Sequence, residues 1–341
     1  MKLKPGGKIA IFLILGIIAF FLIRKYLPQN KSINDSETTA TVDGSESNTS
    51  ADNVGSNSGN EQTKTNNTSA KTDNRTFDYT AEKPVNGKLR GVVEVGASGF
   101  NSFVINMDDQ KRWEIISKDF GESLAYEGLA TTDDIRSGLK KYLAQMFEKG
   151  VPKNDMHFVI SSGAQKEPKT ELISNELKKM GYVVNLVTPE QEGKFAFKAT
   201  VPPSFQDNSF LVDIGSGNTK ISWQDGSNLK AIELPGAKYY EKGTSDDAVY
   251  NQVKGQAAQI PQNKRNVGFI LGGVPFTLAQ QNRNGEERYT VLNASNTYKA
   301  ADKKMGSGLN IYKGLADATK CDTFVFDWDA NFTIGFLLSL R

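Results

Sequence analysis

Asp213 stands alone in an apolar run, Leu211 to Ile214, and leads directly into Gly215-Ser216-Gly217-Asn218-Thr219 before the chain turns apolar again at Ile221 and Trp223. A turn with so few side chains has two readings. It is a tight hairpin, in which glycine supplies positive φ, or it is a loop whose backbone N–H groups close around a phosphate. In the second reading Gly215, Ser216, Gly217, Asn218 and Thr219 contact the ligand, and the Asp213 carboxylate alongside holds a divalent cation such as Mg2+. Asp213 before the turn and Thr219 after it favour phosphate contact. Other chemistries are nearly excluded. His157 is the only histidine and Cys321 the only cysteine, so Ser-His-Asp triads, His-rich metal sites, intrachain disulfides and thiolate clusters have no residues to build on. What remains is chemistry on carboxylates, hydroxyls, backbone amides or a bound cation.

The elements that must position these groups alternate between strand and helix. The pattern predicts strands at Leu89–Val95, Ser102–Met107 and Arg112–Ser117. Thr131-Thr132-Asp133-Asp134 has the form of a capping box, and Ile135, Leu139, Tyr142, Leu143, Met146 and Phe147 follow at helical spacing up to Gly150. A strand at Met156–Ile160 (with His157 as a strand residue), a helix at Glu171–Met180 and a strand at Val183–Val187 complete a right-handed βαβ unit. A second series predicts strands at Phe210–Ile214, Lys220–Trp223 and Ala231–Leu234 and a helix opening at Ser245-Asp246-Asp247. A strand at Val267–Leu271, a helix near Gly308–Ala318, a strand at Thr323–Phe326 and a closing helix through Phe332–Leu340 follow. Asp327 and Asp329, around Trp328, read as caps of that last helix, with a metal role as the alternative. Each series opens with three antiparallel strands whose first two join through a glycine turn, GVVEVGASGFNSFVI in one and FLVDIGSGNTKISW in the other. That is the mark of an internal duplication with a cleft between two lobes.

Charge is distributed unevenly. The net charge of the 341 residues is +2, but Lys2, Lys4, Lys8, Arg24, Lys25 and Lys31 precede the first acidic residue, Asp35, and the rest of the chain is net −4. No basic stripe is left for nucleic acid. Residues 9–23, IAIFLILGIIAFFLI, are continuously apolar. Snorkelling of Lys8 and Arg24 and extension through Tyr26 and Leu27 make 1–28 a single-pass membrane anchor. A cleaved signal peptide is the rival, but Arg-Lys-Tyr-Leu-Pro follows the run where small residues would be required. The short lysine-rich tail is expected to stay in the cytoplasm, which puts the remainder outside it. Residues 29–80 are dominated by Ser, Thr, Asn, Asp and Gly. Up to residue 76 they offer only Ile33, Val42 and Val54 as large aliphatics, too little to offset the entropy of ordering, and the segment reads as a disordered linker.

Taken together, these features resemble the actin, heat-shock chaperone and sugar-kinase superfamily, and within it the exopolyphosphatases and guanosine pentaphosphate phosphatases (the Ppx/GppA family), over about residues 90–340. The family's first phosphate loop reads roughly Asp-x-Gly-Ser-Asn-Ser-Phe, and Glu94-Val95-Gly96-Ala97-Ser98-Gly99-Phe100 stands in its place. Its second, Asp-x-Gly-Gly-Gly-Ser-Thr, is matched by Asp213 to Thr219, and its third, Gly-x-Gly-Gly-Thr, by Ile270-Leu271-Gly272-Gly273-Val274. Phe120-Gly121-Glu122-Ser123-Leu124 is similar to the family's Leu-Gly-Glu-Gly-Leu, and Leu234-Pro235-Gly236-Ala237 to its Leu-Pro-Leu-Gly-Ala. The resemblance implies an α/β, two-lobed actin-like fold, a duplicated ribonuclease H-like domain behind the anchor and linker. Lobe I would span 85–205 and lobe II 206–341, with the final helix free to return to lobe I. It further implies ligand contacts at Gly96, Ala97, Ser98, Gly272 and Gly273 and cation ligands at Glu94 and Asp213; the anchor at 1–28 adds the expectation of a bacterial inner-membrane location. For the Gly96 turn alone, a hairpin serves equally well.

Departures from the family pattern are as informative. Ser161-Ser162-Gly163-Ala164-Gln165 replaces Thr-Ser-Ala-Leu-Arg, so Gln165 stands where a phosphate-binding arginine would be. Thr188-Pro189-Glu190-Gln191-Glu192-Gly193-Lys194 replaces Ser-Gly-x-Glu-Glu-Ala-Arg, placing Gln191 at the position of the water-activating carboxylate, or Glu190 or Glu192 if the register shifts by one. General-base catalysis is worth about 10²–10⁴-fold, and an amide cannot supply it. Glu190 and Glu192 also read as solvated residues in the first turn of a short helix, Glu190 to Lys198. Two functions therefore compete: an anchored module that binds polyphosphate, a nucleotide or a protein partner with weak or no catalysis, and an active exopolyphosphatase or pentaphosphate phosphohydrolase. A homodimer stays open in either case.

Overall fold

The computed structural model describes residues 76–96, 99–121 and 131–340. The anchor at 1–28, most of the linker, Ala97, Ser98 and Glu122 to Leu124 lie outside them. Among the described residues no helix is long and apolar enough to cross a membrane.

Two sheets repeat one topology. In the first, β1 (Lys88–Gly96), β2 (Gly99–Met107), β3 (Trp113–Gly121), β4 (Met156–Ile160) and β5 (Val184–Leu186) lie in the order β3-β2-β1-β4-β5. In the second, β6 (Ser209–Ile214), β7 (Asn218–Asp225), β8 (Asn228–Pro235), β9 (Val267–Leu271), β10 (Tyr289–Leu292) and β11 (Phe324–Asp327) run β10-β11-β9-β6-β7-β8. In both, the first three strands form an antiparallel meander and later strands join the first in parallel. Read from the meander edge the orders coincide, with β10 added as an antiparallel edge strand on β11.

The helices are α1 (Thr132–Glu148), α2 (Pro168–Lys179), α3 (Pro189–Thr200), α4 (Asp246–Ala257), α5 (Gly273–Asn282), α6 (Lys303–Thr319) and α7 (Phe332–Ser339). The predicted capping box forms: the Thr131 hydroxyl accepts from the Asp134 N–H, and the Asp134 carboxylate accepts from the Thr131 N–H. Ile135, Leu139, Tyr142, Leu143 and Met146 then pack against Val93, Val95 and Phe158 of the first sheet. On the far face of the second sheet, α4 and α6 bury Val249, Val253, Ile311 and Leu315 against Val212 and Ile214.

A third core lies between the sheets. Val92, Phe103 and Val159 from the first meet Leu211, Phe269 and Val325 from the second, with Ala196 and Phe197 of α3 and Ile334 and Leu337 of α7 among them. The two helices are exchanged. α3, which follows the first sheet in sequence, packs on β6, β7 and β8, whereas α7, at the end of the chain, packs on β1, β2 and α3. Gly335 permits the close approach, because a Cβ there would lie 1.8 Å from the Phe195 carbonyl oxygen. Strand alternation then decides the site: Glu94 follows Val92 and Asp213 follows Leu211 onto the inward faces.

Phe77 and Tyr79, inside the stretch 29–80 expected as linker, pack into this middle core. The Phe77 ring lies 5.6 Å from Phe269 and 5.0 Å from Phe205, and Tyr79 lies 5.7 Å from Tyr289. The Val85 N–H donates to Asp108, whose carboxylate also accepts from Arg112.

Three local readings change. α5 and β10 have no counterpart among the predicted elements: α5 begins at a Gly-Val-Pro sequence without helical periodicity, and β10 is a four-residue strand buried throughout. α2 starts at Pro168 rather than Glu171, with proline in the N-terminal turn, where its missing N–H costs nothing. Asp327 and Asp329 do not cap α7. Asn331 does, its side-chain oxygen accepting from the Thr333 N–H, while Asp327 receives a two-pronged contact from Arg288 and Asp329 pairs with Lys118.

Candidate functional site

Four charged side chains from four elements converge between the sheets. Asp213 on β6 and Lys220 on β7 are direct cross-strand partners and share one face. Lys220 Nζ lies 2.5 Å from Glu192 Oε2 and 3.9 Å from Asp213 Oδ2. Glu192, in the first turn of α3, is 0% exposed, and its Oε1 accepts from the Ser162 N–H. Glu94 completes the group from β1. Its Oε2 accepts from Asn101 Nδ2 at 2.9 Å and from Asn331 Nδ2 at 3.0 Å, joining β1 to the N-terminus of α7. Burial pushes the Glu94 carboxyl up to about 7; the two amides oppose this, and the negative charges of Glu192 and Asp213 add to it. For Lys220, burial works against the charge, but Asp213, Glu192 and Glu94 outweigh it and hold the ammonium above the usual lysine range.

The glycine turns surround this group. Gly215 N–H donates to the Asn218 carbonyl, closing the β6–β7 hairpin, and Asn218 Nδ2 reaches Ser162 Oγ at 3.3 Å and Glu233 Oε1 at 2.8 Å. Two N–H groups after β8, of Ala237 and Lys238, donate to the carbonyls of Gly215 and Ser216. Gly236 sits so close beneath the turn that a Cβ would fall 2.4 Å from the Asn218 nitrogen. Gly272 adopts φ +111° against the Ile214 carbonyl, where a Cβ would come within 2.1 Å, so the third turn presses on the second. Gly273 opens α5, and the space a side chain there would fill is 3.8 Å from Lys304 Nζ. The first turn joins β1 to β2 through the pair Gly96 and Gly99; Ala97 and Ser98 lie outside the described residues.

The structure thus brings Glu94, Asp213, Glu192 and Asn218 together, with Gly272 against the Ile214 backbone behind them. Thr219 goes elsewhere. Alternation along β7 turns it to the opposite face with its cross-strand partners Ile214 and Leu234, and its buried hydroxyl has no hydrogen-bond partner among the described residues. Glu190 points to solvent and pairs with Lys194. Of the two readings for this helical turn, solvation fits Glu190 and an interior position fits Glu192. Gln191, between them, serves the helix itself: its side-chain oxygen accepts from the Thr188 N–H in a second capping box. Gln165 is likewise committed, donating to the carbonyls of Ile160 and Val187 and tying the end of β4 to the start of α3. His157 stacks edge-on against Phe336 at 5.8 Å, as a strand residue.

Sequence reasoning did not single out Lys220, Ser162, Asn101 or Asn331. For Lys220 a signal existed: a tight hairpin at Gly215–Asn218 places residues 213 and 220 opposite each other. The others arrive from distant segments.

The carboxylates assigned to a divalent cation do not fit one as arranged. Glu94 Oε2 already accepts from two amide donors, and the Lys220 ammonium lies 2.5 Å from Glu192 Oε2 and 3.9 Å from Asp213 Oδ2. Among the described residues no three Asp, Glu, His or Cys side chains gather closely enough to hold a metal ion.

No protein-family model and no curated protein matches the chain. Solved structures do. A Ppx/GppA enzyme from Aquifex aeolicus superposes with a TM-score of 0.58 at 19% identity, over 74% of this chain and 99% of that one. An exopolyphosphatase from Cytophaga hutchinsonii superposes with a TM-score of 0.57 at 13% identity, over 74% of this chain and 99% of the other. This chain has the mixed α/β, two-sheet fold of the Ppx/GppA exopolyphosphatases.

Proposed function

We propose that this protein is a membrane-anchored Ppx/GppA-like module that binds a phosphate-bearing ligand or a protein partner, with weak or no catalysis. The observation that carries this reading is the state of Glu192. It is the one carboxylate of its helical turn that faces the cluster, yet it is fully buried between the Lys220 ammonium and the Ser162 N–H. A general base must reach the water it activates, and this one is closed off. The residues on either side of the expected mechanism, Gln165 and Gln191, spend their amides on backbone groups. Binding elements survive: the Gly215–Asn218 turn, Gly272 at the start of α5, and the Lys304 ammonium beside Gly273. A helix N-terminus with glycine turns and a nearby cation suits an anion. The anchor at 1–28 and the linker ahead of Phe77 would hold the module outside the cytoplasm at the bacterial inner membrane, where nucleotides are scarce.

The test is phosphate release from polyphosphate and from guanosine pentaphosphate by the purified full chain, with thermal unfolding measured in parallel. The expected outcome is release at the level of the buffer blank together with a higher unfolding temperature in polyphosphate. Turnover that disappears in Asp213→Asn would overturn the reading in favour of an active phosphohydrolase. A reporter fused after Arg341 checks the orientation.

A further inference from the structure

A buried lysine surrounded by acids is a costly arrangement, because charges must be taken out of water before any attraction is recovered. Lys220 nonetheless lies on the inner face of β7 with its side chain 8% exposed, and the acids around it come from three other elements. Its position is specific. The hairpin register puts it opposite Asp213, and its ammonium reaches across to Glu192 on α3, the two carboxylates lying at 3.9 and 2.5 Å. Glu94, the remaining acid, contributes a favourable electrostatic interaction with Lys220 while its own oxygen is held by Asn101 and Asn331. A divalent ion at such a point would take the same oxygens. Mg2+ is commonly held by one or two carboxylates, with water and phosphate oxygens filling an octahedron at about 2.1 Å, and an ammonium already occupies that region. Lysine is suited to the exchange, since its head is a compact point charge with three donors, able to satisfy several oxygens at once.

We propose that Lys220 is a tethered cation standing in place of a divalent metal, so that the cleft of this protein holds its carboxylates together and takes its ligand without Mg2+ or Mn2+. The inference rests on the same cleft being the ligand site, and it adds which cation that site uses. It also separates two properties: a module of this kind is insensitive to chelators and to the divalent-ion level of its compartment, whatever its residual hydrolysis.

The experiment uses the full chain and the metals themselves. Mn2+ binding is followed by electron paramagnetic resonance, and thermal unfolding is recorded with and without Mg2+ or Mn2+, for the wild type, Asp213→Asn and Lys220→Ala. The wild type and Asp213→Asn are expected to show the same weak Mn2+ uptake, from the acidic residues of the linker, and no change in unfolding temperature. Lys220→Ala, which frees Glu192 and Asp213, is expected to unfold at a lower temperature and to recover about 4 °C when Mn2+ exceeds its dissociation constant tenfold. A small alkylammonium such as ethylammonium should stabilise this variant as well, since it returns the missing charge without a metal. A stoichiometric Mn2+ site in the wild type that is lost in Asp213→Asn would overturn the proposal, and so would a folded Lys220→Ala that neither divalent ions nor ethylammonium stabilise. If Lys220→Ala does not fold, the wild type against Asp213→Asn decides alone. Phosphate release is scored separately: an active but metal-independent protein would refute the non-hydrolytic reading and leave Lys220 in its role.

Discussion

Glu94→Gln isolates one carboxyl whose protonation is tied to the fold. Glu94 is 9% exposed on β1, and in the folded protein its burial, opposed by Asn101 and Asn331 and reinforced by Glu192 and Asp213, places its pKa at about 7 against 4.5 for an ordinary glutamate. The folded state therefore binds this proton more tightly than the unfolded chain does. A raised carboxyl pKa contributes stability that is fully present below about pH 4.5, declines as pH rises, and is gone above about 7. The difference of about 2.5 pH units corresponds to about 3 kcal/mol in all, at no more than about 1.4 kcal/mol per pH unit. Glutamine keeps the volume and an oxygen for the two asparagine donors but cannot ionise. Urea unfolding of the wild type and the variant from pH 4.5 to 8 measures the effect, with other titrating groups common to both. The two proteins should be similarly stable near pH 4.5, and the variant should be more stable by about 3 kcal/mol at pH 8. Parallel profiles across that range would refute the reasoning, because they would mean that Glu94 exchanges no proton on folding.

Three further outcomes follow from the packing. Gly335→Ala must move α7 away from the Phe195 carbonyl, since its Cβ would lie 1.8 Å from that oxygen; with backbone on both sides the loss should be about 3 kcal/mol or more, seen as a fall of about 10 °C in unfolding temperature. Lys220→Met leaves Glu192 buried without its partner and should cost about 3–5 kcal/mol, whereas Lys220→Met with Glu192→Gln should recover much of that loss; chemical denaturation of the two variants distinguishes a coupled pair from simple loss of packing. Phe77→Ala removes a half-buried ring from the cluster with Phe205 and Phe269 and should cost about 2 kcal/mol. It should also make the chain cleavable closer to Val85 in limited proteolysis.

Local signals carried most of the elements. Thr131 with Asp134 marked the start of α1 because capping chemistry is written within four residues, and the strands Met156–Ile160 and Val267–Leu271 appear as predicted because a short apolar run between turn residues has few alternatives. The duplication was legible for the same reason, as a repeated strand, glycine turn and strand. The exchange of α3 and α7 between the sheets was visible at most as an option for the last helix, since no local pattern states which sheet an apolar helix covers.

The candidate site divides along the same line. Sequence by itself determined the residue types available: carboxylates, glycine turns, no histidine or cysteine cluster, and glutamines at 165 and 191, where the family resemblance implies a phosphate-binding arginine and a carboxylate. Among Glu190, Gln191 and Glu192 it could not choose, because successive helical residues point about 100° apart and only the packing of α3 on β6–β8 turns Glu192 inward. Nor could it show that Glu192 would meet Lys220, 28 residues later on another element, or that Asn331 from the end of the chain would hold Glu94. Those contacts depend on which buried faces come together, and burial is what makes a satisfied charge in this cluster differ from a solvated one.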